Sequence, residues 1–251
     1  MSSLNPIGLP FIELPAVDST NNYAMGLVRE GMAQHGTAVF AHEQTRGKGQ
    51  RNKQWLSGNR DNIALSLILN PGRILNTEVF ILSMAAANAA FQLINRYIPE
   101  ELSIKWPNDI YWRDRKAAGI LIENIWQRNK WKHSIVGTGI NVNQQDFGTL
   151  GSRAVSIKQI TGKEYVPVAL ARELCEIFDE QFRLLLSDPE KVVECYRKNL
   201  YKKDEKVKLK KGSRVFEAVI KDVTTGGQLI VQHAVEEGFD VGEVEWLVNY
   251  G

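Results

Sequence analysis

The stretch Leu102–Val142, LSIKWPNDIYWRDRKAAGILIENIWQRNKWKHSIVGTGINV, decides the fold. It holds three strand signals, Leu102 to Trp106, Lys116 to Glu123 and Trp131 to Val142, with tight turns between them. A parallel pairing would need a crossover of about a dozen or more residues, so the spacing points to an antiparallel meander rather than a doubly wound parallel sheet. Upstream, Thr77 to Tyr97 is the longest helical pattern, Ala-rich on one side and stopped near Pro99. Before it, Asn62 to Leu69 runs apolar like a buried strand until Asn70-Pro71-Gly72 turns the chain, and Thr37 to His42 is a β-rich apolar run. Phe11 to Val17 reads as a short strand ending at Asp18-Ser19-Thr20-Asn21, capping side chains that open a helix running to Gly31. Downstream, Val168 to Leu186, with Pro167 at a first turn, and Pro189 to Leu200 form a helical pair.

Beyond Tyr201 the character changes. Residues 202–214 hold seven Lys or Arg against two acids, whereas 215–251 hold one against seven, so the charge reverses within a short tail. Turns at Lys211-Gly212, Thr225-Gly226-Gly227 and Glu237-Gly238 divide this tail into short strands. The expectation is a larger unit over 1–201 and a small all-β module over 202–251, close to the lower size limit for folding alone and therefore leaning on its neighbour. The fold class is α+β: a mixed, largely antiparallel sheet packed with helices, followed by a small barrel.

The chain has 251 residues, and its 31 basic and 29 acidic side chains leave a formal charge of only +2, which argues against a general polyanion binder but leaves room for a local cationic site. Cys175 and Cys195 exclude a disulfide framework and have no second ligand at zinc spacing; the four histidines are scattered singly. The most apolar helical stretch, Phe80 to Phe91, is too short to cross a bilayer, and Met-Ser-Ser-Leu-Asn-Pro does not resemble a signal sequence. A cytoplasmic, reduced protein is expected.

Four segments could carry chemistry. Between Arg46 and Lys53 four cations fall with no acid among them, interleaved with Gly47 and Gly49. Glycines allow positive φ and close backbone approach to an anion, and Arg46, Lys48, Arg51 and Lys53 add charge-assisted donors. The loop suits phosphate; a solvated surface loop fits the same composition. It is neither a P-loop nor a dinucleotide fingerprint. Lys105-Trp106-Pro107-Asn108-Asp109 groups a cation, an aromatic, a rigid turn residue, an amide and a carboxylate. That grouping suits a ligand site or a turn in which Asn108 and Asp109 bond their own backbone. Lys116 precedes the small residues Ala117-Ala118-Gly119, and Gly137-Thr138-Gly139-Ile140-Asn141 has the same quality, which invites close approach of a ligand or of packed backbone.

Taken in order, Asp18-Ser-Thr-Asn, Gln44 with Gly47-Lys48-Gly49 and Trp55, Lys105-Trp-Pro-Asn-Asp, Lys116-Ala-Ala-Gly-Ile-Leu-Ile-Glu and Gly137-Thr-Gly-Ile-Asn resemble the biotin protein ligases. The resemblance is close from about Phe11 to Val142 and extends weakly into the tail. It implies the class II aminoacyl-tRNA-synthetase-like fold of biotin and lipoate ligases, ending in a small SH3-like barrel. It also implies a two-step reaction with ATP, biotin and Mg²⁺. The biotin carboxylate attacks the α-phosphate to give biotinyl-5′-adenylate, and the lysine of a biotin carboxyl carrier domain then displaces AMP.

By similarity, Lys116, Lys48 and Asp109 are the catalytic candidates, Asp109 also being the metal candidate. Ser19, Thr20, Asn21, Gln44, Gly47, Lys48, Lys116, Gly119 and Gly137 would hold biotin. Lys48, Gln50, Arg51, Lys53, Trp55, Lys105, Asn108, Asn141 and Lys221 would hold ATP or the adenylate, with Trp55 closing over the ligand.

Two departures from the family pattern stand out. Where the family's loop commonly reads Gly-Arg-Gly-Arg, this chain has Lys48 and Gln50, with cations displaced to Arg51 and Lys53. Lysine neutralises phosphate without the bidentate fork, so a different set of closure contacts is expected. The first strand comes near Phe11, leaving no room for the winged-helix domain of some members. The expectation is therefore a ligase that does not bind DNA. Two other readings compete: a lipoate ligase or octanoyl transferase of the same fold, and a nucleic-acid-binding module using the loop and the run 202–214. A homodimer is left open by the sequence.

Overall fold

The structure, a computed structural model, describes residues 5–52, 54–55, 60–72, 74 and 79–247. Strands β1 (Phe11–Leu14), β2 (Ala38–Ala41), β3 (Asn62–Leu69), β4 (Leu102–Lys105), β5 (Asp109–Trp112), β6 (Arg115–Gln127) and β7 (Lys130–Asn141) form one sheet in the order β1-β2-β3-β7-β6-β5-β4. Only β1 and β2 pair in parallel; the other neighbours are antiparallel, as the short connections require.

Helix α1 (Thr20–Arg29) packs on one face, where Ala24 meets Val39, Ile68 and Ile135. Its first turn is buried at Thr20 and Asn21, so a polar helix end is driven against the sheet. A larger core includes α2 (Val79–Asn95) and α4 (Pro167–Ser187), with α3 (Ile157–Thr161) and α5 (Pro189–Lys198) contributing at their buried positions. The run of small residues Ala85–Ala87 and Ala89–Ala90 in α2 is wholly buried, and its one buried amide, Asn88, donates to the Val192 carbonyl at 2.9 Å. Pro167 and Pro189 each sit in a first helical turn, where a missing N–H costs nothing.

Strands β8 (Lys206–Lys211), β9 (Arg214–Val223), β10 (Leu229–Gln232), β11 (Glu236–Phe239) and β12 (Glu245–Trp246) form a second, antiparallel sheet in the order β11-β10-β9-β8-β12. It leans on the first. Trp106 Nε1 donates to the Gly227 carbonyl at 2.9 Å, and Arg197 Nε donates to the Val223 carbonyl at 2.9 Å while pairing with Asp222 at 3.0 Å. Three lysines of the basic run face carboxylates: Lys206 pairs with Glu217, Lys211 with Glu237 and Glu243, and Lys202 with Asp114 and Glu205.

Two differences from the expected elements have local causes. The strand expected over Leu102 to Trp106 ends at Lys105, and the chain turns there into a strand not expected, β5, which sets Lys105 opposite Asp109. Glu237-Gly238 is not a turn. Gly238 lies within β11 opposite Ile230, where a β-carbon would come within 3.3 Å of Ile230 Cδ1, and the chain reverses instead near His233, whose N–H donates to the Val235 carbonyl.

Candidate active site

The glycine-rich loop leaves β2 and returns upon itself. Thr45 N donates to the Val17 carbonyl, Arg46 N to the Asp18 carbonyl, and Trp55 N to the Gly47 carbonyl at 2.9 Å, with Lys48 bridged to Gln54. Gly47 is needed for close approach rather than for an unusual dihedral: a β-carbon there would lie 2.5 Å from the Trp55 carbonyl oxygen and 3.0 Å from Gln44 Nε2. Among the described residues of this loop the left-handed one is Arg51, at φ 54°.

This geometry brings together most of the expected residues. Ser19, Thr20, Asn21, Gln44, Lys48, Gln50, Trp55, Asn108, Lys116, Gly119 and Gly137 line one cleft of about 440 Å³, open to solvent and completed by Thr138, Gly139 and apolar groups of β3 and β6. One end is polar and uncharged. Gln44 Oε1 accepts from both the N–H and the hydroxyl of Thr20, at 2.8 and 3.1 Å, and Ser66 Oγ lies 2.7 Å from Thr20 Oγ1 and 2.5 Å from Asn21 Oδ1. Asn21 also donates to Glu123 at 2.8 Å. Its amide fits because residue 137 on β7 is glycine; a β-carbon there would lie 3.0 Å from Asn21 Cγ.

The other end is cationic. Lys116 Nζ lies 2.6 Å from Asp109 Oδ1 and 5.6 Å from the centre of the Trp55 ring, a favourable position for an ammonium over an aromatic face. Gly119 leaves space for this ammonium, since a β-carbon there would be 2.8 Å from it. The Trp55 indole itself lies in the cleft against Gly139, with Nε1 buried and without a hydrogen-bond partner. Asn108 donates to the Ile120 carbonyl, which ties the β4–β5 turn to β6.

The remaining expected residues lie elsewhere. Asn141 donates to the carbonyls of Lys116 and Val155, both at 3.2 Å, and so braces the backbone behind Lys116. Lys105 projects its ammonium over Tyr111 at 4.5 Å and over Trp246 of the second sheet at 5.6 Å. The Arg51 guanidinium reaches Gly242 in the turn between β11 and β12, and Lys221 pairs with Asp204 at 2.5 Å. Lys53 lies outside the described residues.

Two positions absent from the expected set join it, Ser66 and Glu123. A lone hydroxyl in the middle of the apolar run Asn62–Leu69, and a carboxylate ending the apolar run Ala117–Ile122, were the signals available for them. Among the described residues no three His, Cys, Asp or Glu side chains meet in a group that could hold a metal, and no helix is long and apolar enough to cross a membrane.

Comparison with known proteins agrees with this geometry. The Biotin/lipoate A/B protein ligase family matches residues 13–141, just over half of the chain. The chain is 33% identical over 180 residues to the bifunctional ligase/repressor BirA of Bacillus spizizenii, an alignment covering 70% of this chain and 55% of that protein. It is also 33% identical over 163 residues to the biotin–[acetyl-CoA-carboxylase] ligase of Paracoccus denitrificans, covering 61% and 65%. The chain thus spans about half the length of the first curated relatives it matches. Among solved structures, the biotin protein ligase from Aquifex aeolicus in complex with biotin and ATP superposes with a TM-score of 0.79 at 25% identity, over 94% of this chain and 97% of that one. Motif order, cleft and family match coincide on the same residues, and the chain belongs to the biotin/lipoate A/B protein ligase family.

Proposed function

We propose that the protein is an ATP-dependent biotin protein ligase, which forms biotinyl-5′-adenylate and transfers the biotinyl group to a lysine of a biotin carboxyl carrier domain, that of acetyl-CoA carboxylase being the leading candidate. The observation that carries this reading is the polarity of the cleft. Its hydroxyl and amide end, Ser19, Thr20, Asn21 and Gln44, suits an uncharged ureido head, and its cationic end, Lys48 and Lys116, suits a carboxylate meeting a phosphate.

In the first step a biotin carboxylate oxygen bonds to the α-phosphorus and the bond to the β-phosphate oxygen breaks, releasing pyrophosphate. Negative charge builds where the two anions meet, and Lys116 is placed to stabilise it, held by Asp109 and backed by the face of Trp55. In the second step the acceptor amine bonds to the acyl carbon, the acyl–oxygen bond breaks and AMP leaves. The amine must lose a proton; Asp109 and solvent are the candidate acceptors. The mixed anhydride reacts with water, so a loop that folds back onto its own base at Gly47 and Trp55 gives a means of covering it.

Mg²⁺ enters as part of the nucleotide substrate. It is commonly bound by one or two carboxylates together with substrate phosphates and water, and Asp109, which pairs with the cleft residue Lys116, would offer one such carboxylate. The tail would support the loop rather than bind nucleic acid, since Lys202, Lys206, Lys211 and Lys221 are each engaged by a carboxylate. A cytoplasmic, reducing setting suits Cys175 and Cys195, which are unpaired thiols.

A lipoate or octanoyl substrate fits less well, because a long apolar chain offers no donors or acceptors to the polar end of the cleft lined by Ser19, Thr20, Asn21 and Gln44. Pyrophosphate release measured with biotin and lipoate side by side tests the assignment. Release with biotin and ATP is expected, and release with lipoate alone would overturn it.

A further inference from the structure

Glu123 is not part of the cleft wall, yet the two ends of the cleft meet on its carboxylate. One oxygen, Oε2, accepts from Asn21 Nδ2 at 2.8 Å, and the other, Oε1, faces Lys48 Nζ at 3.6 Å. Through Asn21 the carboxylate reaches Ser66, Thr20 and Gln44, a chain of polar groups running behind the uncharged end of the cleft. Through Lys48 it reaches the glycine-rich loop. The two contacts differ in kind. Asn21 is 3% exposed, so its amide depends on the partners it has, whereas the side chains of Lys48 and Glu123 are 42% and 31% exposed and their attraction is weakened by solvent.

We infer that Glu123 is a positioning residue with two separable roles. It fixes the Asn21 amide permanently, and it holds the Lys48 ammonium in the ligand-free protein until phosphate takes that ammonium over. This rests on the biotin ligase reading of the cleft. An exposed ion pair that must break on nucleotide binding opposes that binding slightly, so Glu123 sets the threshold at which the loop cation is released. The carboxylate-to-amide change separates the roles. Glu123→Gln keeps an oxygen for Asn21 and removes the charge facing Lys48, while Glu123→Ala removes both.

The test is calorimetric titration of full-length wild type and variants with biotin, and then of the biotin-saturated proteins with the magnesium complex of α,β-methylene-ATP, which cannot release pyrophosphate. Glu123→Gln is expected to bind biotin within about twofold of wild type and the nucleotide about two- to fivefold more tightly. Glu123→Ala is expected to weaken biotin by roughly tenfold or more. In a Lys48→Met background the Glu123→Gln gain is expected to vanish. A merely structural role would weaken both ligands together and give no tightening. Unchanged or weaker nucleotide binding by Glu123→Gln would overturn the release role, and normal biotin binding by Glu123→Ala would overturn the Asn21 role. A wild-type protein that binds neither ligand would refute the ligase reading, a result distinct from either.

Discussion

Adding one methyl group at Gly137 probes how the uncharged end of the cleft is built. Residue 137 sits opposite Ser66 of β3 and Leu121 of β6, so the backbone is held from both sides and cannot retreat. Its φ lies outside the left-handed region, so alanine brings no dihedral strain, and the new β-carbon would meet the Asn21 carboxamide, 3.0 Å from Cγ and 3.1 Å from Nδ2. The amide must turn, losing its bond to Glu123 and the one from Ser66. A bond to a charged partner contributes about 1.5–3 kcal/mol and a neutral one about 0.5–1.5 kcal/mol. Replacing a strand glycine returns about 0.5–1 kcal/mol. The net expectation is a loss of about 2 kcal/mol, or a fall in Tm of about 4–8 °C for a chain of this size. Biotin affinity should drop at least about tenfold, since the displaced amide and the methyl both intrude on the cleft. Thermal unfolding followed by circular dichroism and biotin titration by calorimetry measure both quantities. A Gly137→Ala variant with wild-type Tm and wild-type biotin affinity would show that Asn21 does not hold this end of the cleft.

Gly139→Ala places a β-carbon against the Trp55 indole, 2.6 Å from Cζ2, and should expel the ring from the cleft; Trp55 emission should shift to the red in the ligand-free variant, and an unshifted spectrum would count against the observed packing. Burial holds the imidazoles of His35 and His133 below their ordinary pKa of 6.5. The unfolded chain therefore takes up these protons at higher pH than the folded protein does, so stability should fall as pH drops below about 6.5. His35 Nδ1 accepts the Asn70 N–H, and a glutamine there would still offer an acceptor that does not titrate. Tm measured between about pH 7.5 and 5.5 should thus decline less steeply for His35→Gln than for wild type, and equal slopes would refute the role of His35.

The parts of the site legible in the sequence were those written in adjacent residues. The Lys105–Asp109 cluster, Lys116 with Gly119, and the Gly137 segment announce themselves by unusual local composition. The strands that carry them sit side by side because their connections are short. The residues that escaped act across the chain. Ser66 and Glu123 are ordinary in their own strands and gain meaning only when β3, β6 and the start of α1 meet. Lys105 illustrates the converse. Its neighbours suggest a ligand, but the ammonium settles over Tyr111 and over Trp246, which arrives from the second sheet, a contact no local pattern could disclose. Gly47 was read as a source of positive φ and of close backbone approach; it is used for close approach, to the Trp55 carbonyl, and the left-handed residue is Arg51. Composition marks where the backbone is free to approach; tertiary packing decides which residue uses that freedom.

In the proposed reaction Lys116, fixed by Asp109 at 2.6 Å, stabilises the charge that develops as biotin is adenylated. Mass spectrometry of a biotin carboxyl carrier domain incubated with the protein, biotin, ATP and Mg²⁺ tests it most directly, with wild type and Lys116→Ala compared at equal times. The wild type is expected to add one biotinyl group per carrier, and the variant to be slower by about a hundredfold or more, the scale of losing one charge-stabilising donor. A carrier modified by Lys116→Ala at near the wild-type rate would contradict the account.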